Sequence, residues 1–231
     1  MAARLSFIRS AELERHVRTV IGAAQGTIAK NEKDFYKNSV DPFSALFDAL
    51  WQGIGIPEWL NQEQSRQNQK TLQNALGDFH QNILGSMRGW ENLGRGSVID
   101  IENNKKKIIA EVKNKHNTTK GNHKVAIYDD LASQLRTRPG YTAYYVEVIP
   151  KNKKTYDKPF TPSDNRKHSR KAKNEAIRVI DGKSFYALAS GDKDALKKVY
   201  EALPEVIAKV LKKSSRKLTK KDLDALFGRV Y

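Results

Sequence analysis

The spacing of apolar side chains predicts helices in the first hundred residues of this chain. Apolar residues recur every three or four positions over residues 10–24, which is typical of an amphipathic helix. Asp41 followed by Pro42 is typical of a helix start, because the acid can cap the backbone and proline is tolerated in the first turn. A third and longer helix is predicted from Pro57 to about residue 84.

Beyond a glycine-rich loop that ends at Gly96, the pattern changes to that of strands. Residues 98–102 and 108–113 predict an antiparallel pair, and residues 141–149 carry the strongest strand signal in the chain. A helix is predicted over residues 124–136, and a strand–helix–strand connection implies a right-handed crossover with parallel pairing. The predicted fold is therefore α/β, with a mixed central β-sheet flanked by helices and a helical N-terminal portion.

The C-terminal part combines a long polar segment with further elements. Residues 150–174 are predicted as a loop, which carries three prolines and nine basic residues. Residues 178–190 are predicted as strand around an Asp-Gly turn, and residues 192–213 as an amphipathic helix. Thr219 and Asp222 have the spacing of a capping box, which predicts a last short helix.

The formal net charge of +16 is concentrated in the second half of the chain. Residues 1–100 contain 11 basic and 11 acidic side chains, whereas residues 101–231 contain 31 and 15. An excess of positive charge on one region is expected of a protein that binds a polyanion, because neutralised phosphates release counterions. The alternative is a strongly solvated surface.

Several classes of protein are disfavoured by composition. The chain has no cysteine, which excludes disulfides, thiolate metal sites and a cysteine nucleophile. No segment approaches the roughly 20 apolar residues of a membrane span, and the N-terminal segment lacks the apolar core of a signal peptide. His116 and His123 bracket a loop, as in HNH-type nucleases, but their spacing matches no zinc pattern. We expect a cytoplasmic protein.

Three ionisable residues stand out in the predicted hairpin, namely Asp100 on the first strand and Glu111 and Lys113 on the second. Because alternate side chains of a strand share a face, Glu111 and Lys113 project together. A turn over residues 104–107 would place Asp100 directly opposite Glu111, whereas a tight turn at residues 103–104 would place it opposite a lysine of the connecting segment. The pattern leaves both registers open.

In the first register, two carboxylates and a lysine lie on one face of the hairpin. Two carboxylates are the minimal protein ligand set for Mg²⁺, which keeps several waters and accepts phosphate oxygens as further ligands. A neighbouring lysine can position a water or stabilise the charge that develops during phosphodiester hydrolysis. The pattern therefore predicts a nuclease site with Asp100 and Glu111 as metal ligands and Lys113 as a catalytic residue, and a solvated hairpin face is the alternative.

The hairpin resembles the active-site motif of the PD-(D/E)xK nuclease superfamily. The resemblance rests on residues 96–100, GSVID, followed by residues 109–115, IAEVKNK. Ile99 stands where the superfamily name expects proline. The resemblance implies metal ligation by Asp100 and Glu111, the catalytic-lysine role for Lys113, and Mg²⁺ as cofactor with Mn²⁺ as a substitute.

Further segments are similar to type II restriction endonucleases. These are residues 76–85, 111–124 and 181–188, and they resemble in particular the branch that cuts GGNCC or GGWCC sites. The resemblance implies a site-specific double-strand cut in DNA. Since such sites are twofold symmetric, it also implies a homodimer in which each subunit cuts one strand.

Many members of the superfamily add a polar or acidic active-site side chain from a helix that precedes the motif. Asp78 and Gln81, one turn apart, are the candidates, and Glu63 is a more distant one. Lys115 lies just past the motif, where it could contact phosphate. The alternatives are a solvated helix face and a charged strand end.

Basic and amide side chains are candidates for DNA contacts, because arginine and lysine read guanine whereas asparagine and glutamine read adenine. The predicted contacts are Lys120, Asn122 and His123 after the motif, Arg136 and Arg138 at the end of the following helix, and Asn165, Arg166, Lys167, His168 and Arg170 in the long polar segment.

Together these features predict a bacterial or archaeal type II restriction endonuclease that binds double-stranded DNA, acts as a homodimer and has no membrane partner. We interpret residues 1–231 as a single nuclease domain, with a mainly helical part over residues 1–95 that is a candidate for dimerisation and a catalytic, DNA-binding part over residues 96–231. The alternatives are a structure-selective or repair nuclease and a non-catalytic basic nucleic-acid-binding protein.

Overall fold

The computed structural model of the protein describes residues 5–28, 35, 40–94, 96–164, 168–213 and 219–231. The chain divides into two compact units, one of residues 18–76, here the helical unit, and one of residues 1–17 and 77–231, here the sheet unit. The predicted single nuclease domain, with a helical part over residues 1–95 and a catalytic part over residues 96–231, stays a prediction.

Seven helices are described: α1 Ser10–Ile28, α2 Pro42–Gln52, α3 Ile56–Gly85, α4 Gly121–Arg136, α5 Gly182–Ser190, α6 Ala195–Leu211 and α7 Lys220–Gly228. The described strands are β1 Glu91–Asn92, β2 Ile101–Asn103, β3 Ile108–Lys115, β4 Thr142–Ile149, β5 Asp157–Pro159, β6 Ser163–Asp164, β7 Ser169–Arg170 and β8 Ile177–Asp181. In the described part of the chain, no helix is long and apolar enough to cross a membrane.

The centre of the sheet unit is a six-stranded sheet in the order β1-β2-β3-β4-β8-β5. Strands β3, β4 and β8 are mutually parallel, whereas β1, β2 and β5 pair in antiparallel fashion with their neighbours. The predicted α/β fold with a mixed central sheet and flanking helices is confirmed. β6 and β7 form a separate two-stranded hairpin.

The parallel strands are buried, which explains their nearly continuous apolar sequences. In β4 the six residues from Ala143 to Val148 are all buried. One face of the sheet packs against α4, and this core cluster consists of Ile99, Ile109, Tyr128, Leu131, Ala143, Tyr145, Phe160, Ile177 and Val179. The rigid sheet therefore positions whatever side chains project at its strand ends.

The helical unit has a smaller core between α2 and α3. Asp41 caps α2 by accepting a hydrogen bond from the backbone N–H of Phe43, as its sequence predicts. The buried side chains are Ala45, Ala49 and Trp59, and the indole of Trp59 donates to Asp48. Since two of these three side chains are alanines, few large apolar groups of α2 are buried within this unit.

Three of the predicted elements differ from the structure. The strand predicted over residues 98–102 is β2 Ile101–Asn103, so Asp100 lies just before the strand rather than on it. The predicted strand over residues 178–190 ends at Asp181, because the Asp181 carboxylate accepts from the backbone N–H of Ser184 and so starts helix α5. The segment of residues 150–174 is not one plain loop, since it contains β5, β6 and β7. The other helices are observed close to their predicted bounds, including the capping box of Thr219 and Asp222.

Candidate active site

The hairpin of β2 and β3 adopts the first of the two registers that the sequence leaves open. Ile101 lies opposite Ala110 and Asn103 opposite Ile108, so the turn comprises residues 104–107. Asp100 lies just before β2, and its backbone N–H donates to the carbonyl oxygen of Ala110. The charge and a side-chain hydrogen bond of Glu111 act on the Asp100 carboxyl group, so the two carboxyl groups are neighbours.

Direct contacts hold the three motif side chains in place. An oxygen of the Asp100 carboxylate, Oδ2, accepts a hydrogen bond of 2.7 Å from the backbone N–H of Val112. Lys113 Nζ lies 2.6 Å from Glu111 Oε1 on the same strand. All three side chains are half-buried, so the group is ordered by the sheet but open on one side. The structure thus brings together Asp100, Glu111 and Lys113.

The electrostatics of this group are those of two crowded anions beside one cation. Burial, together with the charge of Glu111, raises the pKa of Asp100 to about 7. Burial acts to lower the pKa of Lys113, but the charge and hydrogen bond of Glu111 outweigh it, and the pKa of Lys113 is raised. Lys113 is therefore a firmly protonated ammonium, whereas the anion of Asp100 is disfavoured by burial and by Glu111 and is stabilised in part by Lys113 and by the backbone N–H of Val112.

Of the additional candidates, Gln81 is the one that the structure brings next to the motif. Its Nε2 lies 3.5 Å from the carbonyl oxygen of Val112, between Glu111 and Lys113 on β3. Asp78 lies one turn earlier on α3 and is exposed, and Lys115 is the half-buried last residue of β3. Glu63 belongs to the helical unit, where its carboxylate accepts two hydrogen bonds from Arg66.

A polar row that the sequence reasoning missed continues from Lys113 across the sheet. In the parallel registers, Lys113 lies beside Glu147 on β4, and Glu147 lies beside Asp181 on β8. Glu147 is buried and accepts hydrogen bonds from Lys124 Nζ, at 2.6 Å, and from the Tyr156 hydroxyl. The available signal was a single acid within an otherwise apolar strand, YYVEVI.

A second residue that the sequence reasoning missed is Tyr145, which lies beside Glu111 in the strand register. It is fully buried, and burial raises its pKa while Thr119 acts to lower it. Its ring stacks on Phe160 at 4.8 Å, and Lys124 Nζ lies 5.4 Å from the ring centre. Tyr145 thus belongs to the core cluster between the sheet and α4.

The predicted DNA-contacting residues do not form one cluster. Lys120, Asn122 and His123 are exposed at the start of α4, whereas Arg136 is exposed at its end, about 24 Å away for a 16-residue helix. Arg138 is half-buried and is held by Gln134 and Glu102.

The hairpin of β6 and β7 carries the other predicted contacts. His168 and Arg170 are exposed there and line a shallow pocket with Ser163, Asp164 and Ser169. Asn165, Arg166 and Lys167 lie outside the described residues.

Within the described ranges, no group of three or more histidine and acidic side chains is arranged as a metal site. His116 and His123 belong to no such group among the described residues. The candidate donor set is the pair of carboxylates from Asp100 and Glu111. Two carboxylates suit a hard divalent cation that completes its coordination with water and phosphate oxygens.

A mixed sheet that displays an acid beside a Glu-x-Lys motif is compatible with a nuclease, and comparisons with known proteins show the class. The sequence model of the Eco47II restriction endonuclease family matches residues 5–212. The chain is 42% identical over 212 residues to the type II restriction enzyme Eco47II of Escherichia coli, covering 90% of this chain and 88% of the relative.

A second relative is the type II restriction enzyme Sau96I of Staphylococcus aureus, which is 28% identical over 173 residues. That match covers 74% of this chain and 66% of the relative. The chain belongs to the Eco47II restriction endonuclease family. It is thus a type II restriction endonuclease, a site-specific deoxyribonuclease, as the sequence analysis predicts.

Proposed function

We propose that Asp100, Glu111 and Lys113 are the catalytic residues with which this endonuclease hydrolyses phosphodiester bonds, with Mg²⁺ as cofactor and Mn²⁺ as a substitute. The observation that carries the proposal is the β2–β3 hairpin, in which Lys113 Nζ lies 2.6 Å from Glu111 and the Asp100 carboxylate, just before β2, accepts from the backbone N–H of Val112 between them. A solvated hairpin face would not require half-buried acids or the raised pKa of Asp100.

The donor set fits a divalent cation. Asp100 and Glu111 place two carboxyl groups together in a half-buried position, and burial, followed by the charge of Glu111, raises the pKa of Asp100. Both would hold Mg²⁺, which when bound supplies charge neutralisation at the phosphate and acidifies a water. The backbone N–H of Val112 orients the Asp100 carboxylate for this role.

Lys113 supplies the fixed positive charge of the site. Its ammonium group, held by Glu111 at 2.6 Å, stabilises the negative charge that develops on the phosphate oxygens during attack. Its raised pKa keeps the proton on Nζ, so Lys113 acts as an electrostatic and hydrogen-bonding group rather than as a base. Gln81, whose amide lies 3.5 Å from the carbonyl oxygen of Val112, is proposed as a further contact to the same phosphate or its water.

The proposed substrate is double-stranded DNA with a short palindromic site of the GGNCC or GGWCC kind, cut by a homodimer in a bacterial or archaeal cytoplasm. Support comes from the resemblance to that branch and from the charge of residues 101–231, which hold 31 basic and 15 acidic side chains. The exposed side chains of the α4 start and of the β6–β7 hairpin, among them Lys120, His168 and Arg170, are the proposed DNA contacts.

The test is plasmid cleavage in Mg²⁺ with two matched pairs of variants. Glu111→Ala and Lys113→Ala remove the proposed catalytic pair, whereas Glu175→Ala and Lys173→Ala remove an exposed ion pair of the same length, 2.6 Å. We expect discrete fragments from the wild type and the control variants, and none from the first pair, which should still bind DNA in Ca²⁺. Equal cutting by all four variants would rule out the assigned residues.

The same assay separates the alternative functions. Sequencing of the fragment ends should return one palindromic site with a constant cut position. A structure-selective nuclease would cut branched DNA and leave linear plasmid intact. A non-catalytic binding protein would show steeply salt-dependent binding without cleavage.

A further inference from the structure

We propose that the exposed apolar stripe of α2 is the surface on which a second copy of this chain docks. The stripe consists of Phe43, Leu46, Phe47, Leu50 and Trp51, at the spacing of one helix face. The inference deepens the proposed function, because it names the surface that joins the two subunits of the proposed homodimer.

The exposure of these side chains is the first observation. Phe43, Phe47 and Leu50 are each between 73% and 79% exposed, and Trp51 is 90% exposed. Since a large aromatic side chain offers about 150–250 Å², the stripe presents on the order of 700 Å² of apolar surface. That exceeds the largest apolar patch of a typical monomer, and it approaches the roughly 800 Å² per partner of a standard interface.

The second observation is the net charge of the helical unit, which disfavours DNA as the partner of the stripe. Residues 18–76, the helical unit, contain six basic and six acidic side chains, so the whole excess of +16 lies in the rest of the chain. Helix α2 itself carries no lysine or arginine and has Asp48 as its charged side chain. A phosphate backbone or an anionic membrane surface needs cations beside the apolar face. A surface without net charge does not repel the same surface on a second copy of the chain.

Shape is the third observation. Beside the stripe, a cleft of about 640 Å³ opens between α2 and α3 of the helical unit. Phe47 and Trp51 line one wall, and Trp59, Glu63 and Arg66 are among the other lining residues. The same unit thus offers both projecting aromatic rings and a recess that can hold a ring. An interface with twofold symmetry requires this, because each copy must present both halves of the contact.

The first test is the oligomeric state of the full chain, measured by sedimentation over a range of concentrations. The variant Phe47→Ser/Trp51→Ser truncates two exposed side chains, so its fold should be unaffected, which circular dichroism checks. The control is Leu226→Ser, which removes an exposed leucine, 57% exposed, from helix α7. We expect a wild-type dimer, the same dimer for the control, and a dissociation constant at least about 100-fold larger for the variant.

A second readout uses the tryptophans. Trp51 is 90% exposed, whereas Trp59 and Trp90 are each 6% exposed, so quenching by acrylamide reports mainly on Trp51. We expect quenching to fall as the protein concentration passes the dissociation constant of the dimer. Quenching that stays constant while the dimer forms would place the interface elsewhere.

The outcomes separate this inference from the proposed function. A wild type that is monomeric at tens of micromolar, or a Phe47→Ser/Trp51→Ser variant that dimerises normally, overturns the docking surface whether or not DNA is cut. A variant that stays dimeric but loses DNA binding assigns the stripe to nucleic acid and equally overturns it. Failure of the wild type to cut plasmid contradicts the catalytic assignment and leaves the measured dissociation constants to decide the interface.

Discussion

Residues 18–76 contain six basic and six acidic side chains, whereas the rest of the chain contains 36 and 20. Large exposed apolar side chains show the opposite distribution among the described residues: seven belong to the helical unit and three to the sheet unit. The sheet unit buries its apolar side chains between strands and helices and presents charge. The helical unit presents apolar surface without net charge. Each unit therefore suits a different partner, the first a polyanion and the second a protein.

The largest expected effect is on catalysis, and it should be confined to the sheet unit. Glu111→Gln removes a carboxylate from the proposed cation site and the anionic partner of Lys113. We expect the single-turnover rate of plasmid cleavage to fall at least about 10³-fold, which corresponds to about 4 kcal/mol. The dimer dissociation constant should not change. A variant that cuts at the wild-type rate would remove Glu111 from the mechanism.

Close packing makes the sheet unit sensitive to a single methyl group. A Cβ added at Gly182 would meet the carbonyl oxygen of Val148 at 2.3 Å and its Cα at 2.6 Å, so the backbone of α5 or β4 must shift. We expect Gly182→Ala to lower the free energy of unfolding by about 3 kcal/mol, as measured by urea denaturation. A loss smaller than about 1 kcal/mol would show that the strand and helix separate easily.

Local chemistry explains which elements the sequence predicts correctly. Asp41 and Thr219 form their helix caps with neighbours a few residues away, so the signal and the structure coincide. The Asp-Gly pair at residue 181 also forms a local contact, but it is a helix cap rather than a hairpin turn. Burial of Phe185 and Tyr186 against the sheet favours the helix, and that packing is not visible in a short window of sequence.

The proposed catalytic residues illustrate the same limit. Asp100, Glu111 and Lys113 are recognisable from their spacing, but the turn that sets their register depends on a contact within the loop. The side chain of Asn103 accepts from the backbone N–H of Lys106, which stabilises the four-residue turn. Glu147 lies beside Lys113 only because β3 and β4 pair in parallel across helix α4. Register between strands joined by a crossover cannot be read from local pattern.

Buried histidines give the sheet unit a pH dependence that the helical unit lacks, since residues 18–76 contain no histidine. Burial lowers the pKa of His80, which hydrogen-bonds the Tyr186 hydroxyl, to about 4. The unfolded chain therefore binds a proton near pH 6.5 that the folded chain does not accept, so stability is full above that pH and falls towards pH 4.

We expect protonation linked to His80 to lower the free energy of unfolding by about 2 kcal/mol between pH 7 and pH 5. His80→Gln should remove that part of the difference in urea denaturation, because glutamine does not titrate in this range. His16, whose pKa burial also lowers to about 4, remains as a second contributor. An undiminished pH difference in the His80→Gln variant would mean that His80 does not remain neutral in the folded chain.

The free energy of unfolding should depend on the charge of Asp100, because burial and the nearby Glu111 carboxylate disfavour its anion. Its raised pKa means that the anion is disfavoured in the folded state, so the penalty grows as the pH rises from the ordinary value of aspartate to about 7. At pH 8 without divalent cations, we expect Asp100→Asn to raise the free energy of unfolding by about 1–2 kcal/mol while abolishing cleavage. Mg²⁺ should raise the melting temperature of the wild type but not of the variant, and an equal shift for both would contradict ligation by Asp100.

The smallest effect should come from a glycine of the helical unit, and its sign should be opposite to that at Gly182. Gly22 lies exposed within α1, and an added Cβ would meet no atom within 4 Å. Alanine lowers the backbone entropy of the unfolded chain, so Gly22→Ala should raise the free energy of unfolding by about 0.5–1 kcal/mol in urea denaturation. Destabilisation by Gly22→Ala would show that this stretch of α1 has a packing partner, because a methyl group in open solvent cannot weaken a helix.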